Sequence, residues 1–391
     1  MSMKILVLGG CGIQGKAILY DLSRNRDVSE VVCADAFPEG LSPFRKHLDM
    51  NKIKVVHLDA KDKKMLVSLM KENVQVVIDV LPAQFMKTIT EAAIESGVGL
   101  VNTNYGYEIR PLHKQAVEKG VAIMPECGLD PGIDLVIYGH AVKQFDEIHV
   151  LNSYCGGLPE KKACTNPMNY KINWNWDMVL KSSKREAVFI KNGKKVTISG
   201  DDQHDNEFIH EIDFPGLGRL EALPNGNAVF FTDLLGVTKT IKETGRYSLR
   251  WPGWCAFWRP LKKFHFLSDQ PVVGLPGEIT PHQFMVKFLE PQLQYKEDEK
   301  DLAVMVNVFA GLKDGKKKKI VVNLLIERDL KTGLMAMSLG VGYTVSIVAC
   351  MIASGEIKGK GVLSPATDIP YDSFMKQLNQ RGIALDEKIE I

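Results

Sequence analysis

The chain has almost no net charge: it contains 49 Lys and Arg residues against 47 Asp and Glu residues over 391 positions, which leaves a formal charge of +2. Proteins that bind nucleic acid or an anionic membrane through their overall electric field carry a clear positive excess. The near-balance therefore argues against both as partners. Selectivity for an anionic ligand has to come from a local group of residues.

The chain also lacks the patterns that mark secreted, zinc-binding or membrane-spanning proteins. Its seven cysteines are an odd number without CxxC-type spacing, which is typical of reduced thiols. Its first residues lead directly into the apolar run Ile5 to Leu8, without the features of a signal peptide. The longest apolar candidate, Leu339 to Ala353, is shorter than the ~20 residues of a membrane span. We therefore expect a cytoplasmic protein.

Two histidines lie in an acidic segment, but their spacing is not that of a metal site. His204 and His210 occur among Asp201, Asp202 and Asp205, and they match no strong ligand pattern. A polar loop is the more common structure for such a segment, so no metal is expected.

The first third of the chain alternates apolar, β-branched runs with amphipathic segments. Such alternation is typical of βαβ units around a parallel sheet. The amphipathic segments include 65–70 and 89–94, the latter followed by Gly97 as a helix stop. The pattern predicts a doubly wound α/β (Rossmann) domain over residues 1–130. Its predicted strands are 5–8, 31–34, 53–58, 74–81, 98–101 and 121–124.

After about residue 145 the pattern changes to separate strands and turns. Asn192-Gly193 and Asp314-Gly315 are hairpin-type dipeptides. We expect an α+β substrate and dimerisation domain with a mostly antiparallel sheet over residues 131–338, followed by a helical segment, 339–391, that returns to the Rossmann domain. The predicted strands of the middle part are 148–154, 187–190, 228–231, 302–309 and 320–326.

A glycine motif joins the first strand to the first helix. The residues Gly10 to Gly15 spell GxGxxG between a strand and an amphipathic helix, where glycines admit a pyrophosphate to the backbone and the helix N-terminus attracts it. Asp35, at the end of the second strand, stands where an acidic side chain binds the adenosine ribose. The alternative is that these are only turn glycines and a strand-end acid. The expected cofactor contacts are Gly10, Gly12, Ile13, Gln14, Gly15, Asp35, Ala36, Asp59, Ala60, Leu81 and Pro82.

The charge at Asp35 bears on the choice of cofactor. Its carboxylate would repel the 2′-phosphate of NADP, and Ala36 offers no cation to receive one, so NAD is favoured over NADP. Arg45 remains the alternative cation. The glycines also fit Gly9-x-x-Gly12-x-x-Gly15, a spacing seen in short-chain reductases. None of the ten tyrosines has a lysine four positions on, which excludes the Tyr-x-x-x-Lys catalytic pair of those enzymes.

The segment Gly128 to Asp134 contains Asp130 and Pro131 at the predicted start of a helix. Asp130 fits an N-cap and Pro131 the first helical position, which would explain both residues structurally. The same carboxylate could also bind a substrate ammonium beside the cofactor domain. Both interpretations stay open from the local sequence.

Several segments together resemble the saccharopine dehydrogenase family (glutamate-forming). The similarity extends over nearly the whole chain, and the C-terminal residues 343–363 are closer to the related lysine 6-dehydrogenase. The segments that carry it are Gly128 to Asp134 (GLDPGID), Tyr154 to Pro159 (YCGGLP), Asn166-Pro167, Tyr170-Lys171, Trp174 and Leu249 to Gly253 (LRWPG, for the family's LRYPG).

The resemblance implies roles for the matching residues. Asp130 and Cys155 would flank the substrate nitrogen, with Asp130 relaying protons, and Tyr105 would lie near the reacting carbon. Arg250 would pair with a substrate carboxylate. Trp174, Gly156 and Asn104 are the remaining expected substrate contacts, and a homodimer is expected. Structural alternatives are a small buried residue for Cys155, a surface ion pair for Arg250, and a core position for Trp174, while the cluster of five tryptophans could mark a dimer interface.

One departure from the family pattern concerns the substrate. The chain has Pro224-Asn225-Gly226-Asn227 where the family has PNR, so a second carboxylate-binding arginine is missing from this segment. Losing such a partner would cost about 1.5–3 kcal/mol. The sequence therefore leaves three hypotheses: an oxidoreductase of the saccharopine dehydrogenase type, a lysine 6-dehydrogenase with a smaller amino-acid substrate, and a non-catalytic NAD-binding scaffold or sensor.

Overall fold

A computed structural model of the chain describes residues 2–274 and 277–390. The chain divides into two compact units. The first unit combines the residues up to His140 with Ser338–Ala384, and the second combines Ala141–Met337 with the residues from Leu385 onward.

The strands and helices have the following bounds. The strands are β1 Met3–Leu8, β2 Val28–Asp35, β3 Ile53–His57, β4 Val76–Asp79, β5 Gly99–Asn102, β6 Ala122–Met124, β7 Glu147–Pro159, β8 Ala187–Lys191, β9 Lys194–Ile198, β10 His210–Phe214, β11 Gly218–Pro224, β12 Glu243–Arg250, β13 Asp301–Lys313, β14 Lys316–Glu327, β15 Gly361–Val362 and β16 Leu385–Glu390. The helices are α1 Ile13–Arg24, α2 Lys63–Met70, α3 Met86–Ser96, α4 His113–Glu118, α5 Ile133–Val142, α6 Trp176–Ser182, α7 Ala228–Leu234, α8 Trp254–Lys263, α9 Pro281–Leu289, α10 Ala336–Ala353, α11 Pro365–Asp368 and α12 Tyr371–Gln380.

The first unit is built on a seven-stranded parallel sheet in the order β15-β6-β5-β4-β1-β2-β3. The chain runs outward from β1 to β3 and then returns to the other side of β1, so β1 and β4 flank the point where the strand order reverses. Open α/β sheets bind ligands in the crevice outside the carboxyl ends of the strands at this point. The six strands predicted for this part are confirmed, and β15 adds a seventh.

Apolar side chains cover both faces of this sheet. On one face Leu8, Val77 and Leu100 pack into a core with residues of α2 and α3. On the other face α10 lies close against α1, since a Cβ at Gly342 would be 2.7 Å from the Cβ of Ala17. Burial of both faces explains why these strands are almost continuously hydrophobic.

The second unit holds a mixed, mostly antiparallel sheet whose main path is β10-β11-β12-β7-β13-β14-β16, with β8 and β9 joined to it through β12. Among the strand pairs that the structure describes in this sheet, β12 and β7 run parallel and the others run antiparallel. The predicted fold class, a Rossmann domain with a second α+β domain, is confirmed. Residues 228–231, predicted as a strand, instead begin α7. Asn227 explains the difference, because its side-chain oxygen accepts the N–H of Phe230 and caps the helix.

The C-terminal part of the chain belongs to both units. Helix α10 is apolar and long enough to pass for a membrane span, but 78% of it is buried inside the structure. Strand β15 then joins the parallel sheet beside β6. The last strand, β16, pairs with β14 in the second sheet, so the predicted return of residues 339–391 to the Rossmann domain is wrong for these final residues. Backbone pairing at the open edge of β14 determines their position.

Candidate functional site

The glycine turn after β1 is sterically fixed by two of its glycines. A Cβ at Gly10 would lie 2.5 Å from the Sγ of Cys33, and one at Gly15 would lie 2.3 Å from the carbonyl oxygen of Gly9. Larger residues therefore cannot occupy these positions without moving the turn. Gly12 differs: a Cβ there would meet only the Gly9 oxygen, at 3.4 Å. Packing within the chain therefore does not require a glycine at position 12, in contrast to positions 10 and 15.

The first turn of α1 is well suited to bind phosphate. Gly12 is the N-cap and offers no side-chain oxygen, and the first turn carries no acidic residue. The free N–H groups and the positive end of the helix dipole are thus left for an external anion. Ile13 is 51% exposed at this end. The chain's own residues here fit the pyrophosphate of a dinucleotide.

Asp35 connects the end of β2 to the glycine turn. One carboxylate oxygen accepts the N–H of Cys11 at 2.9 Å, and the other accepts the N–H of Phe37 at 2.9 Å. Each oxygen retains a lone pair for a second donor such as a ribose hydroxyl. The neighbouring Ala36 is exposed and carries no charge.

The other expected cofactor contacts follow β3 and β4 at the same edge of the sheet. Asp59 is exposed and accepts the N–H of Lys61, while Ala60 is buried. Leu81 packs against the glycine turn, because a Cβ at Gly9 would be 3.1 Å from its Cδ2. Pro82 follows directly in the same loop and is exposed.

Asp79 is a buried acid that the sequence analysis missed. It ends β4, is fully buried, and accepts the N–H of Leu81 at 3.0 Å through Oδ1. Its Oδ2 has no hydrogen-bond partner among the described residues. Burial raises the pKa of this carboxyl to about 7. The available signal was an acidic residue inside the apolar run Val76 to Leu81.

Asn104 and Tyr105 follow β5, as predicted. The N–H of Asn104 donates to the side chain of Asn102, and the ring of Tyr105 stacks on Tyr107 with centroids 5.4 Å apart. The fully buried Glu126 accepts the N–H of Gly106 at 3.0 Å and so holds the loop that carries Tyr105. Sequence reasoning did not identify Glu126.

Asp130 lies in a tight turn before α5, and the peptide bond between Asp130 and Pro131 is cis. The helix begins at Ile133, so the predicted roles of Asp130 as N-cap and Pro131 as first helical residue are wrong. The buried Asp134 shapes the turn instead, because its side chain accepts the N–H of Gly132 at 2.8 Å. A structural explanation of Asp130 through capping is thereby removed.

In the second unit, Cys155 and Arg250 lie on neighbouring strands. Cys155 is in β7, opposite Ser248 of β12, and Arg250 ends β12 two residues later. Gly156 brings these strands' backbones together closely, since a Cβ there would lie 2.2 Å from the carbonyl oxygen of Leu249. The structure therefore groups Cys155, Gly156 and Arg250 in one region of the sheet.

Arg250 is a buried cation without a carboxylate partner in the described residues. It is 7% exposed, and one of its terminal nitrogens donates to the carbonyl oxygen of Leu249. Its guanidinium carbon lies 5.4 Å from the ring centroid of Tyr170 and 5.0 Å from that of Trp254. Burial lowers its pKa, and its Nε has no partner among the described residues. The alternative of a surface ion pair is therefore wrong.

Other buried polar atoms near Arg250 also have no partner among the described residues. They include the hydroxyl of Tyr170, the indole nitrogen of Trp254 and both amide atoms of Asn173, which lies directly against Gly157. Trp174 is half-buried beside this aromatic cluster. The other four tryptophans are buried in the interior, which excludes them as the surface of a dimer interface; they are Trp176, Trp251, Trp254 and Trp258.

The predicted site residues thus fall into two groups, one in each unit. Those from Gly10 to Asp130 lie in the first unit, and Cys155, Gly156, Trp174 and Arg250 lie in the second. Among the described residues no group of three or more His, Cys, Asp or Glu side chains could hold a metal ion. His204 is buried and its Nδ1 lies 2.9 Å from the Nζ of Lys262, whereas His210 contacts Tyr154.

Comparisons with known proteins match both units. Residues 5–124 match the model of the saccharopine dehydrogenase NADP binding domain, and residues 128–383 match that of the saccharopine dehydrogenase C-terminal domain. Saccharopine dehydrogenase (NADP(+), L-glutamate-forming) of Saccharomyces cerevisiae is 26% identical over 457 positions, which cover 99% of each chain.

Two further comparisons define the extent of the similarity. The mitochondrial alpha-aminoadipic semialdehyde synthase of Mus musculus is 24% identical over 99% of this chain, which corresponds to 48% of that protein. The apo structure of saccharopine dehydrogenase (L-Glu forming) from Saccharomyces cerevisiae superimposes with a TM-score of 0.85 at 24% identity, covering all of both chains. This likeness shows a shared fold.

Proposed function

The chain belongs to the saccharopine dehydrogenase family, and from this premise we propose that it is a nicotinamide-dependent oxidoreductase acting on the carbon–nitrogen bond of an amino acid of the saccharopine type. The predicted family and its chemistry, oxidation of a CH–NH donor, agree with the names of the relatives. The identity of the substrate and the roles of individual residues are the proposal.

The observation that carries this proposal is Arg250. A buried cation without an anionic partner costs several kcal/mol, because the charge loses its hydration without compensation. No carboxylate of the described residues pairs with it. A carboxylate of the substrate would supply that partner through two parallel hydrogen bonds. The unpaired donors of Tyr170 and Trp254 beside it favour an anionic group as well.

Asp130 is proposed as the residue that moves protons. A carbon bearing nitrogen is oxidised readily only when the nitrogen is neutral, so a base has to accept a proton from the substrate ammonium. Asp130 would accept this proton and, after water has added to the oxidised carbon, would return a proton to the nitrogen, which then leaves as the amine. Tyr105 and Cys155 would orient the nitrogen. A bound nicotinamide dinucleotide would supply the exchange of hydride.

The observations disagree on whether this chain uses NAD or NADP. The matching domain model and the fungal relatives are named for NADP, which favours NADP. In this chain the carboxylate of Asp35 lies at the end of β2 and accepts the N–H of Cys11, and the adjoining Ala36 has no charge. We propose that this carboxylate faces the adenosine ribose. Since a carboxylate repels a 2′-phosphate, we propose that this chain uses NAD.

The choice between saccharopine and lysine rests on the relatives, whose names favour saccharopine. Lysine 6-dehydrogenase activity stays the second candidate, because of the C-terminal resemblance and because the segment at Asn225 lacks the family's arginine.

One assay separates the hypotheses. NADH or NADPH formation is followed with saccharopine and, separately, with lysine, for the intact chain and for the Asp130→Asn variant. Turnover of saccharopine that falls in the variant, with unchanged dinucleotide binding, is expected. Turnover of lysine alone would establish the second candidate. Binding of NAD without turnover of either amino acid or of related opines would indicate a scaffold or sensor. The cytoplasmic location and the homodimer remain predictions.

A further inference from the structure

Two buried polar side chains end adjacent strands of the parallel sheet. Asp79 is the last residue of β4 and Asn102 the last of β5, and the two are direct partners in the parallel register. Side chains paired in this way lie on the same face of the sheet, on strands about 4.8 Å apart. Both residues are fully buried. They occupy the face on which the strands otherwise present Val77 and Leu100 to the core.

Each of the two side chains makes one hydrogen bond, and its second polar atom has no hydrogen-bond partner among the described residues. Asp79 accepts the N–H of Leu81 through Oδ1, and Asn102 accepts the N–H of Asn104 through its side-chain oxygen. The second contact fixes which end of the Asn102 amide is oxygen, because a backbone N–H needs an acceptor. The remaining atoms, Oδ2 of Asp79 and Nδ2 of Asn102, have no partner among the described residues.

This arrangement offers one acceptor beside one donor at a defined place in the sheet. Asp79 is also in register with Leu8, the last residue of β1 before the glycine turn. In folds of this type the ADP half of a dinucleotide lies over the strands on one side of the first strand, and the nicotinamide half lies over the strands on the other side. β4 and β5 are the strands of that second side.

We propose that Asp79 and Asn102 recognise the carboxamide of the nicotinamide ring, with the amide NH2 donating to Oδ2 of Asp79 and the amide oxygen accepting from Nδ2 of Asn102. The primary carboxamide of the nicotinamide ring has one donor end and one acceptor end. The adenine edge has a similar pair, but it belongs to the ADP half, which lies over the strands on the other side of β1. The inference rests on the proposed use of a nicotinamide dinucleotide. It makes these two residues positioning residues that set the orientation of the ring.

The chemistry of Asp79 supports this assignment. Burial raises its pKa to about 7, and the hydrogen bond from the N–H of Leu81 lowers it in part. An additional donor at Oδ2 would stabilise the ionised form. Unpaired buried polar atoms are costly, so two of them in register are expected to have a partner that arrives from outside.

Two near-isosteric substitutions test the proposal with a matched pair of ligands. Asp79→Asn keeps the acceptor for Leu81 but changes the free oxygen to an NH2 donor, and Asn102→Asp keeps the acceptor for Asn104 but removes the free donor. The dissociation constants of NAD, 3-acetylpyridine adenine dinucleotide and ADP-ribose are measured by calorimetry without substrate. The acetylpyridine analogue keeps the carbonyl oxygen but lacks the NH2 group.

The expected pattern differs for each variant. Asp79→Asn should weaken NAD binding by about tenfold or more and leave the acetylpyridine analogue nearly unchanged, since only the NH2 contact is lost. Asn102→Asp should weaken both dinucleotides alike. ADP-ribose, which lacks the ring, should bind all forms equally.

Equal loss of NAD and its analogue in Asp79→Asn, or no loss in either variant, would overturn the proposal and indicate a purely structural pair or a pair bridged by water. If one variant fails to unfold cooperatively, the other still decides, because each tests a different end of the carboxamide. Failure of the premise that this chain binds a nicotinamide dinucleotide is distinguishable, because then neither NAD nor ADP-ribose would bind the unaltered chain. Failure of catalysis alone would appear in the turnover assay and would leave these binding measurements intact.

Discussion

The carboxylate of Asp21 receives two hydrogen bonds from the guanidinium of Arg381, at 2.7 and 2.9 Å. Asp21 lies in the last turn of α1, the helix that follows the glycine turn, and Arg381 directly follows α12. Both side chains are more than four-fifths buried. The pair therefore ties the cofactor-binding helix to the C-terminal part of the same unit.

Removing this pair should destabilise the first unit. Arg381→Met leaves Asp21 with its carboxylate buried, and losing a charged hydrogen-bond partner costs about 1.5–3 kcal/mol. Chemical unfolding should show this loss, while Arg26→Met, a change at an exposed arginine of the following loop, should leave the free energy of unfolding nearly unaltered. Equal effects of the two substitutions would contradict a structural role for the pair.

The two glycines of the turn should respond differently to alanine. Gly15→Ala places a Cβ 2.3 Å from a backbone oxygen, so the melting temperature should fall clearly. Gly12→Ala finds room in the fold and should keep the melting temperature, yet it should weaken dinucleotide binding because the methyl group occupies the path of the pyrophosphate. Tight NAD binding by Gly12→Ala would exclude this turn as the phosphate site.

Asp35 should determine the choice of cofactor. The unaltered chain should bind NAD more tightly than NADP, and the double variant Asp35→Ser with Ala36→Arg should reverse the order, because it removes the repelling carboxylate and adds a cation for the 2′-phosphate. Dissociation constants for both dinucleotides provide the measurement. A preference of the unaltered chain for NADP would show that the NAD proposal is wrong and that this chain follows its named relatives.

Arg250 should affect the amino-acid substrate and not the dinucleotide. Arg250→Lys loses the planar pair of donors, and a loss of about 1.5–3 kcal/mol corresponds to roughly a tenfold to hundredfold rise in KM. Arg219→Met, at a side chain that is 74% exposed, serves as the control. An unchanged KM in Arg250→Lys would exclude this arginine from carboxylate binding.

The buried carboxyl of Asp79 should make the free energy of unfolding depend on pH. Its pKa is about 7 in the folded chain and about 3.9 in an unfolded one. Between these values the unfolded chain releases the proton that the folded chain keeps, so stability falls as the pH rises, by at most about 1.4 kcal/mol per pH unit. Asp79→Asn stays neutral throughout.

The measurement is the difference in free energy of unfolding between Asp79→Asn and the unaltered chain, without ligand. Relative to the unaltered chain, the variant should become more stable as the pH rises from about 4 to 7, and the difference should stay constant at higher pH. A difference that does not change with pH would show that Asp79 is not the titrating group.

The strands of the first unit and the glycine turn could be predicted from the sequence. Alternation of apolar and amphipathic segments located the six strands before residue 130, and the spacing from Gly10 to Gly15 located the turn. Short apolar runs predicted the type of element less reliably. Residues 228–231 were predicted as a strand but form a helix, because the side chain of Asn227 caps that helix.

The environment of the candidate site could not be predicted in the same way. Whether Arg250 is buried depends on Tyr170 and Trp254, which come from other segments of the chain. The relation of Asp79 to Asn102 requires the register of two strands that are separated by a whole helix. Contacts of this kind are set by tertiary packing, for which a single sequence carries no periodic signal.

The discontinuity of the first unit has a consequence for the order in which the protein folds. Its parallel sheet is completed by β15, and α10 covers one face, but both follow the whole second unit in the chain. During synthesis residues 1–140 would hold an incomplete sheet with exposed apolar surface until α10 and β15 have also been made. A fragment cut at residue 140 should aggregate, whereas joining residue 140 directly to residue 338 would supply the missing pieces in one short polypeptide.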